Sequence, residues 1–226
     1  RDTFMRGQGS LKIGIENLYT IEPLTENQKL FFKEWKKFPI YVLSGFAGTG
    51  KTFIAMYKAL EDVLGSHRYK KLIILRSAVP TRDLGAMPGD LEEKGSVYEL
   101  PYDEICNSLF NKKESYLRLK EQGRISFSLT SYIRGITFDE SIIIVDEIEN
   151  LTYHELYSVI TRVGEGSKIV FCGDFRQSDE KFNGMTKFLR VLARMKNMVY
   201  NIDFTKDDIV RSSLVKEFII ASSEEE

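Results

Sequence analysis

Eight residues, Gly45-Phe46-Ala47-Gly48-Thr49-Gly50-Lys51-Thr52, join a glycine-rich loop to an adjacent Lys-Thr pair. The chemistry this spacing can do is phosphate binding. Glycines let successive backbone N–H groups turn toward one centre, and a helix starting at the Lys-Thr pair adds positive potential there. The flanks agree: residues 39–44 form a short apolar run that reads as a buried strand, and residues from Phe53 to Leu60 read as a helix. In that context Lys51 is expected to reach the β- and γ-phosphates, and the Thr52 hydroxyl to hold Mg²⁺. Gly45 through Phe53 is the expected cofactor-binding stretch.

A second chemical signal is Ser141-Ile142-Ile143-Ile144-Val145-Asp146-Glu147, a β-branched run ending in two adjacent carboxylates. Ligands of open α/β sheets bind at the carboxyl ends of strands. Beside a phosphate loop, Asp146 is expected to hold Mg²⁺, and Glu147 to polarise an attacking water as general base. The pair favours hydrolysis over transfer of the phosphoryl group to a small substrate.

Other candidates are single residues. Gln28 lies three residues after Thr25, which reads as a helix cap. It reads either as the capping partner or as an amide that recognises adenine through a donor and an acceptor. Asp174 and Gln177 follow the apolar run 168–172 and could sense the γ-phosphate. Arg76 and Arg82 could meet phosphates of a second ligand. Arg211 is a candidate arginine finger, because a planar guanidinium stabilises spread phosphoryl charge. Arg134 is a second candidate for that role.

The elements that must hold these residues follow from their apolar patterns. Runs near 40–44, 71–76, 125–129, 141–145, 168–172 and 199–204 read as strands, and they alternate with helical stretches. Several are apolar throughout, as parallel strands covered on both faces are. The expectation is an α/β three-layer P-loop NTPase fold of RecA-like type, with a mostly parallel sheet and helices on both faces. A water-activating glutamate implies, by fold analogy, that the 168–172 strand separates the acidic strand from the loop strand. A closing helix is expected to start within 205–216. Residues 1–20 read as an N-terminal tail or arm, 21–220 as one domain and 221–226 as an acidic tail.

Composition narrows the partners. The 226-residue chain has a formal net charge of −1, which gives no global basic footprint for nucleic acid. A basic stretch, residues 112–124, reads as a solvated helix face. Cys106 and Cys172 fit no metal spacing and read as buried thiols of a reducing compartment. No apolar run is long enough to span a bilayer and no signal peptide is visible, so the expected place is the cytoplasm of a bacterial or phage-infected cell.

Taken together, the loop 45–52 and the stretches 24–28, 84–94, 132–135, 145–150, 172–177 and 208–215 resemble the PhoH family of P-loop ATPases, related to the first motor domain of superfamily 1 helicases. The resemblance covers roughly residues 20–220 and is nearest to the short phage-type members. It implies ATP hydrolysis with ATP and Mg²⁺, a hexameric ring of identical subunits, and helicase-like work on single-stranded RNA or DNA. In such a ring Arg211 or Arg134 would be supplied by a neighbouring subunit. A nucleotide-gated assembly switch that moves no strand is the alternative. The chain departs from the family pattern at Glu149, where Gln is usual, and at Ser212-Ser213, where His-Pro is usual.

Overall fold

The computed structural model describes residues 12–78, 91–174 and 184–224, with side chains from Ser96 onward in the middle segment. Gln177, Arg82 and residues 84–90 of the family-like stretch lie outside the described residues.

Six parallel strands form one sheet: β1 (Ile40–Gly45), β2 (Lys71–Arg76), β3 (Ile125–Leu129), β4 (Ser141–Asp146), β5 (Lys168–Gly173) and β6 (Val199–Phe204). The order across the sheet is β3-β2-β4-β5-β1-β6. β5 thus separates the acidic strand from the loop strand, as expected. The helices are α1 (Glu26–Glu34), α2 (Lys51–Gly65), α3 (Leu91–Phe110), α4 (Ser115–Glu121), α5 (Tyr153–Ile160), α6 (Gly184–Leu192) and α7 (Ser213–Ser223).

Alternation along each strand divides the core in two. Leu43, Ile74, Ile144 and Cys172 face a cluster built with Phe31 and Trp35 of α1, Ile54 and Leu60 of α2, and Tyr102 and Leu109 of α3. Val42, Leu75, Val145 and Phe171 face the opposite way, onto Leu156 and Val159 of α5 and Phe188 of α6. Strands covered on both faces need apolar residues at nearly every position, which is why the inner runs such as β2 and β4 show no alternation, whereas the edge strands β3 and β6 alternate apolar with polar residues. Both cysteines are free and buried.

The described part of the N-terminal arm, residues 12–20, packs against its own chain. Ile13 is buried, its N–H donates to Gln122 Oε1 at 2.8 Å, and its carbonyl accepts from Gln122 Nε2 at 2.9 Å. The basic stretch after Asn111 is partly spent inside the fold: Lys120 pairs with Glu99 at 2.6 Å, and Arg118 with Glu114 at 3.4 Å.

The closing helix starts within the expected stretch, near its end. Thr205 caps only a single 3₁₀ turn, Lys206–Asp208, where Asp208 Oδ2 accepts from the Thr205 N–H at 2.8 Å and from Asn27 Nδ2 at 2.7 Å. These bonds anchor the chain to α1, and α7 begins only at Ser213. No helix among the described residues is long and apolar enough to cross a membrane.

Candidate active site

The loop between β1 and α2 owes its path to glycine. Gly45 has φ +119°, and a Cβ there would fall 2.0 Å from the Phe204 carbonyl oxygen. Gly48 has φ +72°, and a Cβ would meet Arg211 Cγ at 2.8 Å. Only glycine lets the backbone pass this close to β6 and to the segment before α7. Lys51 lies at the start of α2, its ammonium donating to the carbonyls of Gly45 (2.8 Å) and Phe46 (2.6 Å) and to Thr49 Oγ1 (3.3 Å). Burial lowers its pKa.

At the tip of β4, Asp146 is buried and accepts from Thr52 Oγ1 and from the Tyr102 hydroxyl, both at 2.9 Å. Burial raises the Asp146 pKa, against the pull of those two hydrogen bonds. Glu147 sits just beyond, with left-handed backbone angles (φ 50°, ψ 50°) that turn it out of the strand. Such a conformation in a non-glycine residue costs of order 1 kcal/mol and points to a constraint on the site. Its Oε2 pairs with Arg76 Nη2 at 2.7 Å and accepts from Asn150 Nδ2 at 3.3 Å. Burial raises the Glu147 pKa, and Arg76 opposes that rise. Glu149 follows two residues later, in the 3₁₀ turn Ile148–Asn150. Its Oε2 accepts the Asp174 N–H at 3.1 Å, and burial lifts its pKa to about 7.

These groups line one cavity of about 570 Å³, bounded by residues 47–53, the tips of β4 and β5, Pro101 and Ile105 of α3, and Arg211. A second cavity of about 610 Å³ shares Gly48, Gly50, Phe53 and Arg211 with it, and is otherwise walled by Thr20, Ile21, Glu22, Leu24, Gln28, Ile54 and Val210. Glycine-rich backbone with a lysine on one side, and an apolar recess with one buried amide on the other, fit the phosphate and base ends of a nucleotide. Thr52 and Asp146 fit Mg²⁺, which takes one or two protein oxygens beside phosphate and water. No cluster of three or more His, Cys, Asp or Glu residues suited to a metal occurs among the described residues.

Most of the residues singled out in the sequence converge here. Gln28 is buried; its Oε1 accepts the Leu24 N–H at 2.8 Å, and its Nε2 donates to the Thr49 carbonyl at 3.0 Å. Thr25 does cap α1, accepting the Gln28 N–H at 3.4 Å. The Gln28 amide, however, ties the helix entrance to the phosphate loop instead of closing back on the cap. Arg211 lies over Gly48 of its own chain. Arg134 is exposed and lines neither cavity. Arg76 meets Glu147. Tyr102 escaped the sequence reading, since a tyrosine on an amphipathic helix reads as core; its spacing of four from Tyr98 was the available signal.

The family model described as PhoH-like protein matches residues 20–223. The chain belongs to the PhoH-like family. Protein PhoH2 of Bacillus subtilis is 38% identical over 175 residues, covering 74% of this chain and 39% of that protein. A PhoH-like protein of the same organism is 33% identical over 206 residues, covering 89% and 64%. Protein PhoH of Escherichia coli is 31% identical over 202 residues, covering 88% and 57%. This PhoH-like chain therefore spans between about two fifths and two thirds of the length of these relatives. Among solved structures, the large terminase of a thermophilic bacteriophage in complex with ATP-gamma-S aligns with TM-score 0.55 at 15% identity, over 87% of this chain and 48% of that one. The likeness extends the P-loop NTPase fold to the PhoH-like chain.

Proposed function

We propose that the protein binds ATP with Mg²⁺ and hydrolyses it to ADP and phosphate, as the motor of a hexameric homo-oligomer acting on single-stranded RNA or DNA. The observation that carries the reading is the Thr52–Asp146 hydrogen bond at the mouth of the glycine loop, with Glu147 next in sequence on the same cavity wall. Loop hydroxyl, acidic strand tip and a second carboxylate meet where a γ-phosphate would lie.

Bound ATP·Mg²⁺ would supply the scissile anhydride and neutralise charge on it. The chain's own residues do the rest in this reading. The backbone from Gly45 to Thr52 and the Lys51 ammonium hold the phosphates. Thr52 and Asp146 hold the cation. Glu147 takes the proton of the attacking water, with Oε2 fixed by Arg76 and Asn150 and Oε1 left for the water. Arg211 stabilises the transferring phosphoryl group from within the same chain. Arg134 is offered outward to a neighbouring subunit, and Gln177 is assigned to sensing the γ-phosphate. Gln28 orders the loop and presents its remaining amide valences to adenine.

Phosphate release measured with and without single-stranded RNA or DNA, at low and moderate salt, tests this. A motor is stimulated, and stimulation falls steeply with salt. Wild-type protein that binds ATP but releases no phosphate overturns the hydrolysis reading. A flat response to both nucleic acids favours the second reading, a nucleotide-gated assembly switch. That reading draws on α7, which touches the loop at Gly48 through Ile219 while exposing Leu214 and Phe218.

A further inference from the structure

One wall of the phosphate cavity is α3, which touches Asp146 directly and reaches Glu147 through Arg76. Tyr98 and Tyr102 are one helical turn apart and so lie on the same face. Tyr102 is fully buried, its ring packs on Phe127 at 5.8 Å, and its hydroxyl donates to Asp146 Oδ2 at 2.9 Å. The oxygen it leaves, Oδ1, is the one that faces Thr52. Tyr98 lies under the Arg76 guanidinium, with the guanidinium carbon 5.4 Å from the ring centroid. That same guanidinium holds Glu147 Oε2 at 2.7 Å. Arg76 Nε is buried and has no hydrogen-bond partner among the described residues. The tyrosine face and the glutamate are therefore two of the contacts that fix the guanidinium.

We propose that α3 is the positioning element of the acidic pair, Tyr102 orienting Asp146 directly and Tyr98 orienting Glu147 through Arg76. The inference rests on the hydrolysis reading above and adds its control. Neither tyrosine lines the phosphate cavity, which α3 bounds through Pro101 and Ile105, so the two side chains act on hydrolysis through the acidic pair. α3 is in turn braced from outside, since Glu99 accepts from Tyr116 and Lys120 of α4, both at 2.6 Å. It also exposes Val97 and Leu100 on its outer surface.

The two arms have separate signatures. Tyr102→Phe keeps the ring and removes only the hydroxyl. Loss of such an outer contact costs about tenfold in metal affinity or activity. Tyr102→Phe is thus expected to lower kcat about tenfold and to weaken Mn²⁺ in the ADP complex, read by electron paramagnetic resonance, by a similar factor. Fluorescent mant-ADP binding in metal-free buffer stays within about twofold. Arg76→Gln is expected to lower kcat about tenfold with Mn²⁺ affinity unchanged, and Arg76→Lys to recover part of the loss. Tyr98→Leu lowers kcat in the wild-type background and has no further effect in Arg76→Gln, because Tyr98 works through that arginine. Unchanged kcat in both Tyr102→Phe and Arg76→Gln overturns the proposal, as do Tyr98 and Arg76 losses that multiply independently. Wild-type protein that releases no phosphate refutes hydrolysis instead, and the Mn²⁺ measurement still decides the Tyr102 contact.

Discussion

Val210 donates its backbone N–H to the carbonyl of Gly48 at 2.9 Å. This bond fastens the segment before α7 to the phosphate loop of the same chain, and Arg211, the next residue, lines its own cavity. An arginine placed this way is expected to act in cis. Arg211→Ala is then expected to abolish hydrolysis while sparing ATP binding, a loss of about 10³-fold or more if it serves as the finger. Mixing Arg211→Ala with Glu147→Gln subunits should restore nothing, since every site lacks one of the two groups. Arg134→Ala mixed with Glu147→Gln should restore activity, because Arg134 faces away from its own site. Recovery in the first mixture would place Arg211 in a neighbour's site.

Glu147→Gln keeps the shape and the Asn150 neighbour but removes the base. Turnover should fall by about 10²- to 10⁴-fold. The affinity for mant-ATP should change little, because the loop and Lys51 contacts are untouched. A fall in affinity as large as the fall in rate would mean that Glu147 serves binding instead of water activation.

The backbone framework was legible in the sequence for a simple reason: a run such as residues 142–145 is apolar at every position, and that pattern has few folded solutions. The glycine loop and the Asp146-Glu147 pair were legible because their chemistry needs consecutive residues. The contacts that orient them were not. Arg76 and Glu147 are far apart in sequence, and Arg76 reads equally well as a surface cation or a phosphate ligand until β2 and β4 pair in register, Arg76 beside Asp146. The start of α7 was legible only to within 205–216, because what Thr205 caps depends on Asp208 meeting Asn27. The cis placement of Arg211 depends likewise on one backbone bond that no residue type announces.

Gln28 offers a test of the base end. Gln28→Glu replaces the amide donor to the Thr49 carbonyl with a buried carboxylate oxygen. The unpaired groups should destabilise the fold by about 1–3 kcal/mol. Preference for ATP over GTP should fall with it, measured as the ratio of mant-ATP to mant-GTP affinities. Gln28→Ala should show the loss of preference with a smaller loss of stability. Unaltered preference in both variants would confine Gln28 to ordering the loop.

Glu149 gives a pH prediction whose sign follows from its environment. Its carboxyl is raised by burial to about 7 in the folded chain, against an ordinary value of 4.5. Between those values the folded state binds more protons than the unfolded state, so this group's contribution to stability falls as pH rises. It is fully unfavourable above about pH 7 and absent below about pH 4.5. Glu149→Gln keeps an oxygen that can accept the Asp174 N–H without the buried charge. The variant should match wild type in thermal unfolding near pH 4.5 and exceed it by ~1–3 kcal/mol at pH 8, the gap opening between the two pH values. A gap that is constant with pH would show that the Glu149 carboxyl titrates alike in the folded and the unfolded chain. A wild type more stable than the variant at pH 8 would show that its charge is compensated there, with Lys51 a cation on the same cavity wall that interacts with it.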